Sequence, residues 1–142
     1  MSVSMSRAER EAFLAEVHVG VLAVAAGQGS GPLLTPVWYS YEPGGRVSVS
    51  TGGSSNKARA IAAAGRFSLC AQDEAPPYKY VTVEGRAVIE PAELAGRIAI
   101  ARRYLGIEGG DAFIAANPGV DEVMIQMMPE RWQSADFSKA EG

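Results

Sequence analysis

Gly27-Gln28-Gly29-Ser30-Gly31-Pro32-Leu33-Leu34-Thr35-Pro36-Val37-Trp38-Tyr39-Ser40-Tyr41 is the stretch that separates two fold classes. It opens with G-x-G after an apolar run, the start of a dinucleotide-binding fingerprint. The fingerprint then fails. Its third glycine is absent, and Pro32 opens a β-patterned segment where a helix should begin. The glycines therefore read as a hairpin connection. Residues 33–41 alternate, with Leu34, Pro36, Trp38 and Ser40 on one face and Thr35, Val37, Tyr39 and Tyr41 on the other. Pro36 has no amide to give to a ladder, so the strand has an edge or a bulge there.

Upstream, Ser6-Arg7-Ala8-Glu9 is a capping box and predicts a helix to about residue 17. Residues 18–26 are rich in valine and leucine, too short for a second helix, and read as a strand. Downstream, Glu42-Pro43-Gly44-Gly45 is a turn and residues 46–51 read as the returning strand. An alanine-rich helix follows over 57–64, ended by Gly65. Residues 67–72 form a strand, and Ala75-Pro76-Pro77 breaks the chain. The longest alternating segment is 78–90, with Tyr78, Tyr80, Thr82 and Glu84 on one face and Lys79, Val81 and Val83 on the other. Gly85 predicts a bulge that resets the alternation. Pro91 predicts the start of a helix to about 105. A second short helix over 110–116 stops at Asn117-Pro118-Gly119, and strands over 123–128 and 131–135 flank Pro129. Long β segments with few intervening helices argue against a doubly wound parallel sheet. The expectation is a mainly β Greek-key barrel with peripheral helices, one domain over 1–142 with an ordered core over about 6–136.

A chain of 142 residues can bury a core without staples. Its net charge of −3 gives no broad basic surface, which argues against nucleic-acid and membrane partners. Cys70 and His18 are each alone of their kind, so no internal disulfide, thiolate cluster or multi-histidine metal site can form. The polar N-terminus and the absence of a long apolar run, with the single cysteine, fit a cytoplasmic protein. His18 reads as structural, Cys70 as an inert strand residue, and Met124, Met127 and Met128 as core filling. A chain this poor in acid–base groups fits chemistry brought by a cofactor.

The most informative segment is Ser50-Thr51-Gly52-Gly53-Ser54-Ser55-Asn56-Lys57-Ala58-Arg59. A strand end feeds small residues into a helix start. The glycines let backbone approach a ligand, and the open amides of the helix start favour an anion. Thr51, Ser54 and Ser55 add hydroxyls, and Lys57 and Arg59 add charge. Spaced i, i+2, these two cations must reach a ligand from different sides. The Walker A pattern is absent. An ordinary glycine-rich loop with a Ser or Asn cap explains the same local pattern equally well.

Three segments together resemble the FMN-binding split β-barrel superfamily of the pyridoxamine phosphate oxidases. More closely they resemble its flavin/deazaflavin oxidoreductase B group, many of which use coenzyme F-420. The segments are Leu34-Thr35-Pro36-Val37-Trp38-Tyr39, Ser50-Thr51 through Lys57-Ala58-Arg59, and Pro76-Pro77-Tyr78-Lys79-Tyr80-Val81 leading into Val83-Glu84-Gly85-Arg86-Ala87. The resemblance implies a split barrel forming a homodimer, with cofactors in grooves between subunits. It implies phosphate binding by residues 51–59, with Ser50, Thr51, Ser55, Asn56, Lys57 and Arg59 as candidates. Pro36, Val37 and Trp38 would lie against the ring. Tyr78, Lys79, the region to Arg86, and Trp132 would complete the groove. The activity implied is hydride transfer from reduced F-420 to a small organic electrophile. FMN is the alternative cofactor, and a non-catalytic flavin, deazaflavin or haem carrier the alternative role. The longer acidic tail of F-420 would suit the extra cations Arg46, Lys79 and Arg86.

Overall fold

A computed structural model of the chain describes residues 2–141. Helix α1 (Arg7–Ala15) starts as the capping box: the Glu9 amide donates to the Ser6 hydroxyl (3.2 Å), and the Ser6 amide to the Glu9 carboxylate (2.8 Å). It ends short of residue 17, because Glu16 is already extended (φ −67°, ψ 160°). Seven strands follow in chain order: β1 (Gly20–Val24), β2 (Leu33–Val37), β3 (Val47–Gly52), β4 (Arg66–Asp73), β5 (Lys79–Pro91), β6 (Glu122–Met127) and β7 (Arg131–Asp136). Helix α2 (Asn56–Ala64) lies between β3 and β4, and α3 (Leu94–Ala116) between β5 and β6. A 3-10 turn, Phe137–Glu141, follows β7.

The strands curl into one antiparallel sheet of order β2-β1-β4-β5-β6-β3, with β7 also paired to β5. Strand β5 is its spine. One edge of β5 holds β4 from Lys79 to Arg86, and the other holds β7 over Lys79–Glu84 and then β6 over Ala87–Pro91. The exchange of partners falls at Gly85. A Cβ there would come within 1.7 Å of the Met128 carbonyl oxygen. The expected irregularity lies in the partner and not in β5: residues 85 and 86 face three residues, 128–130, as the register steps from Glu84↔Arg131 to Ala87↔Met127. The β4–β5 register runs unbroken through Phe67↔Gly85, and Val81, Val83 and Gly85 continue one buried face. Gly85 is required by close backbone approach, the other reason for glycine in a strand.

Three further expectations are corrected. Residues 46–51 were expected to return alongside 33–41, but β3 pairs with β6 from Val47↔Met127 to Gly52↔Glu122. In this pairing Val47, Val49 and Thr51 lie buried on one face. Strand β2 ends at Val37, and the segment meets β3 only at the isolated bridge Ser40↔Ser48. Pro91 ends β5 rather than opening a helix; β4 covers β5 only as far as Arg86, so a proline beyond it can face an open edge. Helix α3 starts at Leu94 and is broken at Gly106 (φ 78°, ψ 174°), so the two expected helices are limbs of one bent element. The limbs close tightly: a Cβ on Gly110 would sit 2.7 Å from the Arg102 amide nitrogen, and Arg102 pairs with Asp111 at 2.8 Å.

Leu22, Tyr39, Val49, Leu69, Val81, Val83, Ile125 and Met127 fill the barrel, with Leu14 of α1 and Ile61 of α2 closing it. The Tyr39 hydroxyl donates to the Leu14 carbonyl (2.7 Å), and burial pushes its phenol pKa up. The guanidinium of Arg103 holds the carbonyls of Ala15 (3.0 Å) and Glu16 (2.6 Å), so α3 fastens the C-terminus of α1. His18 stacks on Phe13 at 4.4 Å, as a structural residue should. Met124 and Met127 are buried in the sheet.

Candidate functional site

The sheet's two outermost strands, β2 and β3, are joined only by Ser40↔Ser48. Continuing that register would set Trp38 opposite Ser50 and Pro36 opposite Gly52. The strands part instead, and a cleft of about 370 Å³ opens between Pro36, Val37 and Trp38 on one side and Ser50 on the other. Lys57, Val19 and Phe113 complete its lining. Pro36 belongs on such an edge, since it has no amide to leave unpaired. Of the two neighbouring aromatics, Tyr39 goes to the core and Trp38 to the cleft, as the alternation dictates.

At Lys57 the cleft meets the polar start of α2. Ser55 caps α2, its hydroxyl accepting from the Ala58 amide (3.2 Å). The Thr51 and Ser55 hydroxyls lie 3.3 Å apart, and the Lys57 ammonium donates to Thr51 Oγ1 (2.8 Å). Thr51 is buried. The amides of Asn56 and Lys57, in the first turn of α2, meet no acceptor among the described residues. Two open amides, two hydroxyls and a lysine thus converge where the strand hands over to the helix. This donor set suits an oxyanion, and the helix dipole adds to it. Arg59 points elsewhere: it is exposed and donates to Asn56 Oδ1. The i, i+2 spacing separates the two cations as expected.

The apolar end is built around Trp38. Tyr104 stacks on it at 5.1 Å and 8°, and Phe113 leans on it at 5.2 Å and 53°. The Tyr104 hydroxyl accepts from the Tyr39 amide (3.0 Å) and donates to the His18 carbonyl (2.6 Å). It thereby satisfies backbone where β2 leaves the sheet. Neither Tyr104 nor Phe113 stood out in the sequence. Both come from α3, whose fold-back over the seam depends on the single break at Gly106.

The remaining candidates lie away from this cleft on the same chain. Lys79 lines a hollow with Glu9, Phe13 and Asp136. Tyr78 is exposed beside the 3-10 turn, its carbonyl accepting the Phe137 amide (3.0 Å). Arg86 is held by Glu130 at 2.8 Å, and Arg46 is exposed. Trp132 packs under Arg10, whose guanidinium lies 4.8 Å over its ring.

The family model described as pyridoxamine 5'-phosphate oxidase matches residues 6–135. No curated protein matches the chain. Among solved structures, a conserved hypothetical protein of Mycobacterium tuberculosis, Rv2991, is similar with a TM-score of 0.79 and 24% identity, over 99% of this chain and 91% of that one. An F420 reductase is similar with a TM-score of 0.70 and 22% identity, over 87% and 94%. A FAD-binding protein of Mesorhizobium loti gives 0.67 and 19%, over 92% and 94%. At these identities the structures testify to the fold. The split of the sheet between β2 and β3, the order of strands around it and the match over residues 6–135 agree, and the chain belongs to the pyridoxamine 5'-phosphate oxidase family.

Proposed function

We propose that the chain is an oxidoreductase that holds a phosphate-bearing flavin or deazaflavin in the seam between β2 and β3, with coenzyme F-420 as the first candidate. The observation that carries this reading is the junction of two halves in one cleft. Lys57, which lines the cleft, offers a phosphate its ammonium, and Thr51, Ser55 and the open amides of Asn56 and Lys57 surround it at the start of α2. Pro36, Val37 and Trp38 offer a flat ring an apolar strand edge. The donor chemistry fits the group. The resemblance in residues 34–39 and 50–59 to the deazaflavin enzymes, and the similar fold of an F420 reductase, support F-420.

When bound, the reduced cofactor would supply a hydride for a small organic electrophile. The chain's own part is to bind and orient. Lys57 neutralises phosphate charge, the α2 amides fix its position, and Trp38, backed by Tyr104, sets the plane of whatever lies on the strand edge. Phe113 screens that plane from water, which strengthens the polar contacts inside. A homodimer is part of the proposal: Tyr78, Lys79 and Arg59, away from the cleft on their own chain, would complete the partner's groove.

FMN is the second reading, and a specific observation favours it. Of the cations that would suit a longer acidic tail, Arg86 is already engaged by Glu130 at 2.8 Å. Fluorescence titration of the purified protein with F-420 and with FMN decides between them. Saturable binding of neither would end the proposal, and binding without turnover on any electrophile would make the chain a carrier. For the phosphate site, Lys57→Ala should weaken FMN by roughly 10- to 100-fold, the about 1.5–3 kcal/mol of a charge-assisted hydrogen bond. Riboflavin, which lacks the phosphate, should be nearly unaffected. Equal losses for both would remove Lys57 from the phosphate.

A further inference from the structure

Behind the main cleft lies a smaller chamber of about 180 Å³. The two share Trp38, Ser50 and Phe113, so the chamber opens off the ring-facing end rather than the phosphate end. Its apolar walls include Ile100 and Ile114, one from each limb of the bent helix α3. Its polar equipment is a pair of opposite charges. Arg97 is buried, at 8% exposure, and has no carboxylate within 4 Å among the described residues. Two carbonyls fix its guanidinium, Asn117 at 2.6 Å and Pro118 at 3.0 Å. Gly119 (φ 67°) leaves the space it needs, since a Cβ there would come 2.4 Å from Arg97 Cζ. Glu122 is the other charge. One of its oxygens accepts from the Ser50 hydroxyl (2.8 Å), and the other has no hydrogen-bond partner among the described residues.

A buried cation spends part of its donor capacity on two backbone oxygens, and a carboxylate keeps an open acceptor in the same chamber. An anion drawn to Arg97 also meets the Glu122 carboxylate, and a cation drawn to Glu122 also meets Arg97, so a ligand of single charge gains less here than in a chamber of one sign. The apolar walls favour a flat hydrophobe. We propose that this chamber is a second ligand site, taking a compact, flat, uncharged molecule with a hydrogen-bond acceptor for Arg97 and a donor for Glu122. Resting on the proposed function, it is the electrophile's site, placed so that its occupant lies against Trp38 beside the strand edge. Glu122, Arg97 and Ile114 are then specificity-determining residues, and Ser50 positions the Glu122 carboxylate.

The test needs no knowledge of the natural substrate. Trp38 and Trp132 are the two tryptophans of the chain. In full-length Trp132→Phe, Trp38 alone reports on the chamber. The probes are 4-nitroaniline, which is flat, neutral, and carries a donor and an acceptor at opposite ends, and 4-nitrobenzoate, its anionic counterpart. The aniline should quench Trp38 saturably and bind at least tenfold more tightly than the benzoate. Ile114→Phe, which fills the chamber, should weaken the aniline at least tenfold while leaving FMN and F-420 affinities within about twofold. Glu122→Gln should narrow the preference for the neutral probe, with thermal unfolding unchanged as the control for folding. No saturable quenching by the aniline, or a benzoate that binds as tightly, overturns the proposal. Loss of cofactor binding in Ile114→Phe also overturns it, because the chamber would then hold the cofactor itself. The probe titrations are run without cofactor, so failure of the cofactor reading shows in the F-420 and FMN titrations alone.

Discussion

Gly85 has room for a hydrogen and nothing more, because the Met128 carbonyl crosses directly over it. Gly85→Ala must push backbone against backbone, which no side-chain rotation can relieve. We expect a loss of about 3 kcal/mol or more, at or beyond the upper end of overpacking costs, read by urea denaturation. Tyr39→Phe is milder. It removes the bond to the Leu14 carbonyl and should cost about 1 kcal/mol by the same measurement. These two residues also show what a sequence reveals at this scale. Alternation alone put Tyr39 and Trp38 on opposite faces, though not which face was the core, and helical spacing alone parted Lys57 from Arg59. Gly85 announced itself as special, but its reason lies more than forty residues away, and no local pattern could distinguish a bulge from a crossing carbonyl. Arg97 gave no signal at all, since its partners are backbone oxygens, which every residue has.

At the level of elements, the ends of helices were the most legible features. Ser6 with Glu9 and Ser55 with Gly65 mark α1 and α2 through bonds that close within a few residues. The docking of α1 adds a contact from the far end of the chain: the Lys139 ammonium donates to Glu9 at 2.8 Å. That hydrogen bond, with those from Ser6, holds the Glu9 carboxyl down at about 2. A carboxyl lowered in the folded state contributes stability above its ordinary value, 4.5, and loses it as pH falls from there toward about 2. In Lys139→Ala, the Glu9 titration followed by NMR should move up toward 4.5, and the acid limb of the stability curve should shift with it. Helix α3 was legible as two stretches but not as a bend, because Gly106 sits in a φ/ψ region open almost only to glycine and its φ cannot be read from neighbours. Gly106→Ala should cost about 1–3 kcal/mol, seen as a lower midpoint on heating. It should also change Trp38 fluorescence, since Phe113 reaches that ring only through the bend.

For the whole molecule, the mainly β barrel class followed from long alternating segments with few helices between them. The seam did not, because it depends on β3 choosing β6 over the segment next to it in sequence. That choice joins residues about 75 apart, and adjacency in the chain carries no trace of it. Hydrogen exchange should map the result directly. Amides of residues 68–70 in β4 and 79–84 in β5, where the strands are paired on both edges, should exchange slowest, and those of residues 34–38 and 50–52 faster. If the cofactor proposal holds, saturating F-420 or FMN should slow the second group selectively, and sedimentation should give twice the 14.9 kDa chain mass. A barrel fastened at one bridge has a further consequence for the life of the protein in a cell. A ligand seated in the seam at 100 times its dissociation constant adds about 2.7 kcal/mol of stability, and an empty seam leaves two strand edges for proteases and other chains to find. Degradation would then remove empty copies first, so the abundance of this protein would follow the cell's supply of cofactor, with no regulator of its gene required.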